Sequence, residues 1–135
     1  MKVSTAVIID DDVFSIRILD AALRTWRFNV VSTDRPSTLP VMLTTYRPAL
    51  VILDITIAGL DIAAIVRFIR STPELRATTV LLHSNLDPDA LSQRVYQCGA
   101  DGFIIKSPSV ADLDAQLEYW LSGARSPRPA PDKAA

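Results

Sequence analysis

The chain has 135 residues, enough for about one domain, and a 49% apolar share is ample for a single core. With 14 Lys plus Arg against 15 Asp plus Glu the balance is near neutral, which argues against a basic stripe and against nucleic acid as a partner. Cys98 is the single cysteine, which rules out an internal disulfide and, with no Cys/His cluster, a structural zinc site, and it fits a reducing cytoplasm.

Ala6 to Ile9 is a short apolar run rich in β-branched residues that stops at Asp10, Asp11 and Asp12. It reads as a buried first strand with carboxylates at its end. It is too short for a signal-peptide core, and no other uncharged apolar stretch reaches spanning length, so a soluble protein without a membrane partner is expected. From Phe14, the positions Ile18, Leu19, Ala22, Leu23 and Trp26 recur at helical spacing and predict a helix that ends near Arg27. Phe28 to Ser32 follows as a second strand. Thr33-Asp34-Arg35-Pro36 is turn chemistry leading into a helical segment that ends near Tyr46.

Arg47-Pro48 breaks the chain, because the residue before a proline is pushed out of the α region. Leu50-Val51-Ile52-Leu53-Asp54 then reads as a strand buried on both faces that ends in a carboxylate. An Asp in that place belongs to the carboxyl edge of an open α/β sheet, where such folds put their chemistry. Ile62, Ile65, Val66 and Ile69 form the next helical stripe, stopped by Ser71-Thr72-Pro73. Thr79 to Leu82 is the fourth strand and runs out through His83-Ser84-Asn85. Pro88 opens a helix over Asp89 to Gln97, with Gly99 as its left-handed stop. Gly102 to Ile105 is the fifth strand, ending at Lys106. Pro108 and Ser109 start a last helix whose Val110, Leu113, Leu117 and Trp120 share a face. Beyond Gly123 the composition turns to Ser, Pro, Ala, Arg and Lys. The division expected is one domain over 1–122 and a disordered tail over 123–135. Five strands alternating with five helices predict an α/β fold, a doubly wound five-stranded parallel sheet.

The strand ends deliver Asp10, Asp11, Asp54, Ser84 and Lys106 to one edge. Close carboxylates repel by roughly 1 to 4 kcal/mol per pair, so a cation belongs among them. Hard oxygen ligands in small number suit Mg²⁺, and the missing soft ligands argue against zinc or copper. A metal, a hydroxyl and an ammonium facing one carboxylate make a clamp for a phosphoryl group. Asp54 is then the nucleophile, with Ser84 and Lys106 each binding a phosphoryl oxygen.

In Ile8-Ile9-Asp10-Asp11-Asp12, Val51-Ile52-Leu53-Asp54, the strand-end Ser84 and Gly99-Ala100-Asp101-Gly102-Phe103-Ile104-Ile105-Lys106, the chain resembles the response-regulator receiver domains of two-component signalling. The resemblance covers about residues 3 to 122. It implies the flavodoxin-like (βα)5 fold and a stand-alone, chemotaxis-regulator-like receiver. Asp54 would accept phosphate from a histidine kinase or phosphotransfer protein. Mg²⁺ would be held by Asp10, Asp11, Asp54 and the Thr56 carbonyl. Ser84 and Phe103 would be a switch pair, passing the signal to a protein target on the face made by the fourth helix, fifth strand and fifth helix. Matching on Arg17 would shift the acidic pair to Asp11 and Asp12. Matching on Leu19-Asp20-Ala21 gives Asp10 and Asp11, with Asp12 free to cap the first helix.

The family's D-x-x-M-P-G-M-D-G run is Asp54 to Ile62 here, without the proline and the final glycine, so a looser loop is expected. Ser107 stands between Lys106 and Pro108, where the family has proline directly. Asn85 replaces a small residue after Ser84, which narrows access for water and predicts a long-lived phosphoryl group. His83 is read as a packed, hydrogen-bonded side chain without chemistry, Cys98 as a small buried filler, and Tyr96 and Tyr119 as exposed. Two other functions compete: a pseudo-receiver that binds protein constitutively, and a small aspartyl-phosphate phosphohydrolase. Thr56 stands where the latter class often has its second Asp.

Overall fold

In the computed structural model, which describes residues 3–122, each apolar run becomes a strand and each helical stripe a helix. The order is β1 (Thr5–Ile9), α1 (Val13–Thr25), β2 (Asn29–Thr33), α2 (Leu39–Tyr46), β3 (Leu50–Asp54), α3 (Ile62–Ser71), β4 (Thr79–Ser84), α4 (Pro88–Cys98), β5 (Gly102–Ile105) and α5 (Val110–Leu121). All pairings are parallel and the sheet order is β2-β1-β3-β4-β5, the flavodoxin-like doubly wound arrangement. The tail expected to be disordered, 123–135, lies outside the described residues.

Alternation along the strands splits the core in two. Val7, Ile9, Val51, Leu53, Val80 and Leu82 face α2 and α3, where they meet Leu43, Ile65 and Ile69. Ala6, Ile8, Leu50, Ile52, Leu81 and Ile104 face α1 and α5, where they meet Leu19, Leu23, Leu113 and Leu117. The residues of β3 are buried throughout, as a central strand covered on both sides requires.

Of the boundaries that differ from the sequence expectation, three have a clear local reason. α1 stops at Thr25 because Arg27 turns left-handed at φ 66°. The Phe28 amide then returns to the Leu23 carbonyl and the Arg27 amide to Arg24, the paired bonds of a Schellman ending built without glycine. Phe28 is thereby spent on the turn, and β2 begins at Asn29. β4 continues to Ser84 because β3 pairs His83 with Asp54 on one side and β5 pairs Ser84 with Ile105 on the other. Gly99 takes the left-handed stop expected of it, at φ 82°.

Candidate functional site

The chain reverses direction across the sheet between β1 and β3, and an open α/β sheet gathers ligands in the crevice at that point. Asp10 follows β1 and Asp54 ends β3. Since Ile9 stands opposite Leu53, the next residues on each strand, Asp10 and Asp54, face each other on the α1/α5 side. His83 is paired with Asp54, and Lys106 lies two residues beyond Ile104 on the same face. The apolar layers of that face thus end in a polar row of Asp10, Asp54, His83 and Lys106.

The three acids of the first loop have three different fates. Asp10 is buried, and its Oδ1 accepts the Asp12 amide at 2.9 Å. Asp12 turns away to cap α1, accepting from the Phe14 amide at 3.0 Å and the Ser15 hydroxyl at 3.1 Å. Asp11 is exposed, but one of its carboxylate oxygens joins those of Asp10 and Asp54, all within 4.8 Å of one another. Asp10 and Asp11 are therefore the pair beside Asp54, and Asp12 is engaged elsewhere.

Both oxygens of Asp54 are occupied, and the residue is 1% exposed. Oδ1 accepts the Thr56 amide at 3.0 Å and the Thr56 hydroxyl at 2.8 Å, the latter a contact that sequence reasoning missed. Oδ2 accepts from Lys106 Nζ at 3.2 Å, and the same ammonium lies 3.7 Å from Asp10 Oδ2. Burial opposes ionisation of Asp10. The His83 ring, the Asp12 amide, the Asp54 carboxyl and the Lys106 charge outweigh it and hold the Asp10 carboxyl down at about 2.

Three carboxylates against one ammonium leave two negative charges uncompensated. The donors are hard oxygens on two strand ends and a loop, and Asp10 Oδ2 is buried without a hydrogen bond among the described residues. That donor set fits a small divalent cation such as Mg²⁺ and offers nothing to a soft metal.

The loop after Asp54 is anchored despite its missing proline. Ile57 is 6% exposed in the α2/α3 core and fixes two successive turns, although their backbone bonds, Ile57 to Asp54 and Leu60 to Ile57, are long at 3.4 Å. Gly59 supplies the left-handed residue at φ 83°. Between Lys106 and Ser109 the peptide bonds are trans, and Ser107 Oγ accepts the Ser109 amide to lead into α5.

Ser84 is close in sequence but turned differently. Alternation sends it to the face opposite His83, where its Oγ accepts the Leu86 amide at 3.0 Å and makes no bond to Asp54 or to the Lys106 ammonium. Its carbonyl accepts the Lys106 amide at 2.9 Å, which ties the ends of β4 and β5 together. Phe103, on the same face as Ser84, is half-buried with its ring 5.9 Å from that of Trp120. Ser92, Phe103, Gln116, Tyr119 and Trp120 line a shallow cavity of about 450 Å³ on the α4-β5-α5 side. Tyr96 on α4 and Tyr119 on α5 are exposed, as expected.

Two readings of single residues need correction. Cys98 is half-buried rather than buried, and partial burial pushes its thiol up. His83 is packed at 2% exposure, but neither ring nitrogen has a hydrogen-bond partner among the described residues. The signal for its place was available in the strand alternation: Leu81 and His83 share a face, as do Ile52 and Asp54.

The family model described as the response regulator receiver domain matches residues 6–118. Among solved structures, the chemotaxis response regulator CheY4 of Vibrio cholerae superposes with a TM-score of 0.77 at 16% identity, over 89% of this chain and 100% of CheY4. The signal receiver domain of a signal transduction histidine kinase from Syntrophus aciditrophicus gives 0.71 at 25% identity, over 94% and 97%. The probable methanogenesis regulatory protein FilR2 of Methanothrix harundinacea (strain 6Ac) is 31% identical over 87 residues, which are 62% of this chain and 56% of FilR2. The chain therefore matches little more than half the length of that relative. No helix among the described residues is long and apolar enough to cross a membrane.

Proposed function

This chain belongs to the response regulator receiver domain family, and from that premise we propose that it is a phosphorylation-controlled binding module with Asp54 as its acceptor. Receiver domains are signalling modules of two-component systems rather than enzymes with a separate substrate. The observation that carries the reading is the convergence of Asp54, Asp10, Asp11 and Lys106 at one sheet edge.

The donor is the phosphohistidine of a histidine kinase or phosphotransfer protein. An Asp54 carboxylate oxygen forms the new O–P bond as the P–N bond breaks, and the donor imidazole keeps the electron pair. Thr56 holds the Asp54 carboxylate in orientation through its amide and hydroxyl. Lys106 leaves Asp54 Oδ2 and follows the charge to a phosphoryl oxygen. Asp10, Asp11 and Asp54, together with the Thr56 carbonyl, would hold Mg²⁺, and the ion would neutralise charge that builds on the phosphoryl oxygens. Ser84 gives up the Leu86 amide to reach the phosphoryl group, Phe103 turns inward, and the α4-β5-α5 face changes partners. The domain of this function is residues 1–122.

The test is incubation with acetyl phosphate and Mg²⁺ followed by intact mass measurement. Wild type should gain one phosphoryl group and Asp54→Asn none. A pseudo-receiver, favoured by the 1% exposure of Asp54, would leave the wild-type mass unchanged and overturn the proposal.

A further inference from the structure

His83 is the one member of the polar row that the phosphorylation reading leaves without a task. It sits on β4 opposite Asp54, 2% exposed, with Nδ1 3.6 Å from Asp10 Oδ2. Both imidazole nitrogens and Asp10 Oδ2 lack hydrogen bonds among the described residues. Buried polar atoms without partners are rare in native proteins, and two of them facing each other this closely are rarer. A movement of about 0.5 Å brings the pair to ordinary N–H···O distance.

The surrounding contacts say why that bond matters. Asp10 Oδ1 is fixed by the Asp12 amide, so the carboxylate is pinned at one oxygen only. Its Oδ2 faces two groups, the Lys106 ammonium at 3.7 Å and the His83 ring at 3.6 Å. Lys106 is also bonded to Asp54, and in the function proposed above it departs with the phosphoryl oxygen. Among the described residues, His83 is then the group left facing Asp10 Oδ2 with a nitrogen to donate. Metal-ligating carboxylates are commonly oriented by such an outer hydrogen bond.

We propose that His83 is the positioning residue for Asp10, donating from Nδ1 to Asp10 Oδ2 and so setting the carboxylate for the divalent cation. This rests on the metal reading of the acidic cluster. His83 itself is not a ligand: the group whose oxygens gather within 4.8 Å consists of Asp10, Asp11 and Asp54.

The experiment is calorimetric titration of the full chain with MgCl2. His83→Leu, which keeps the bulk and removes the donor, should weaken Mg²⁺ binding by about 10- to 100-fold. The Asn amide nitrogen falls near the place of Nδ1, whereas the Gln amide falls near that of Nε2. His83→Asn should therefore stay within about threefold of wild type and His83→Gln should resemble the Leu variant. In an Asp10→Asn background, His83→Leu should have no further effect. Imidazole ¹⁵N NMR of the wild type reads the same bond without any substitution, and with Mg²⁺ present the proton should be on Nδ1. Unchanged Mg²⁺ affinity in a folded His83→Leu, equal losses in Asn and Gln, or a proton on Nε2 would overturn the proposal while leaving the metal site intact. A wild type that binds no Mg²⁺ would overturn both.

Discussion

Lys106→Met removes the only cation bonded to Asp54 among the described residues, and the structure says what that should cost. At an effective dielectric of about 20, charges 3.2 and 3.7 Å apart attract by about 5 and about 4 kcal/mol. Much of this is offset by the desolvation of the ions. Deleting one partner of a buried ion pair costs about 3–5 kcal/mol, because the surviving charge is left uncompensated. Lys106 retains 15% side-chain exposure, so water softens the loss and places it at the low end, about 3 kcal/mol. The two carboxylates left behind repel, so Asp54→Asn added to Lys106→Met should recover about 1–2 kcal/mol. Saturating Mg²⁺ should also restore stability, by about 3 kcal/mol at a hundred times its dissociation constant. Urea unfolding followed by circular dichroism measures each variant, with an unchanged slope as the check that only stability moved. A loss below 1 kcal/mol for Lys106→Met, or a further loss on adding Asp54→Asn, would refute the electrostatic account.

Three further outcomes follow from other parts of the molecule. A Cβ at Gly102 would meet the Trp120 ring at 2.5 Å, so Gly102→Ala should cost about 1–3 kcal/mol in the same assay, and the penalty should vanish when Trp120 is also made Leu. The Asp10 carboxyl sits at about 2 against an ordinary 3.8, so its folded form is the weaker proton binder. Its contribution is present above about pH 4 and is lost as pH falls toward about 2, and acid unfolding of Asp10→Asn should therefore be flatter over that window; equal slopes would contradict it. Asn85, expected from the family pattern to narrow water's access to the acceptor, is exposed directly after Ser84. Acid-labile phosphate on the purified phosphoprotein should persist for minutes or longer, and disappearance within seconds would remove that role from Asn85.

Much of this architecture is legible in the sequence alone. The runs Ala6–Ile9 and Leu50–Asp54 are strands because their apolar residues need cover on both faces, and the carboxylates at or just after their ends could only lie at the edge. The helix ends were less legible. Nothing in the composition of Arg27 announces a left-handed residue, and only the return of the Phe28 amide to Leu23 makes that conformation worthwhile. The loop after Asp54 looked loose because proline and a glycine were missing, but Ile57 holds it through burial, which is a property of the core around it.

By itself the sequence determined which segments are strands, which are helices and which of their faces are apolar, because hydrophobic periodicity is local and is written residue by residue. It also determined that acids, a serine and a lysine end the strands. The tertiary structure decided which of those groups meet. Strand order and register brought residues 10, 54, 83 and 106, far apart along the chain, into one row. The same geometry sent Asp12 to a helix cap, turned Ser84 toward Leu86, and left the His83 ring and Asp10 Oδ2 facing each other without a hydrogen bond among the described residues. Those choices depend on the face of the sheet and on distances of a few tenths of an ångström, which no spacing along the chain records.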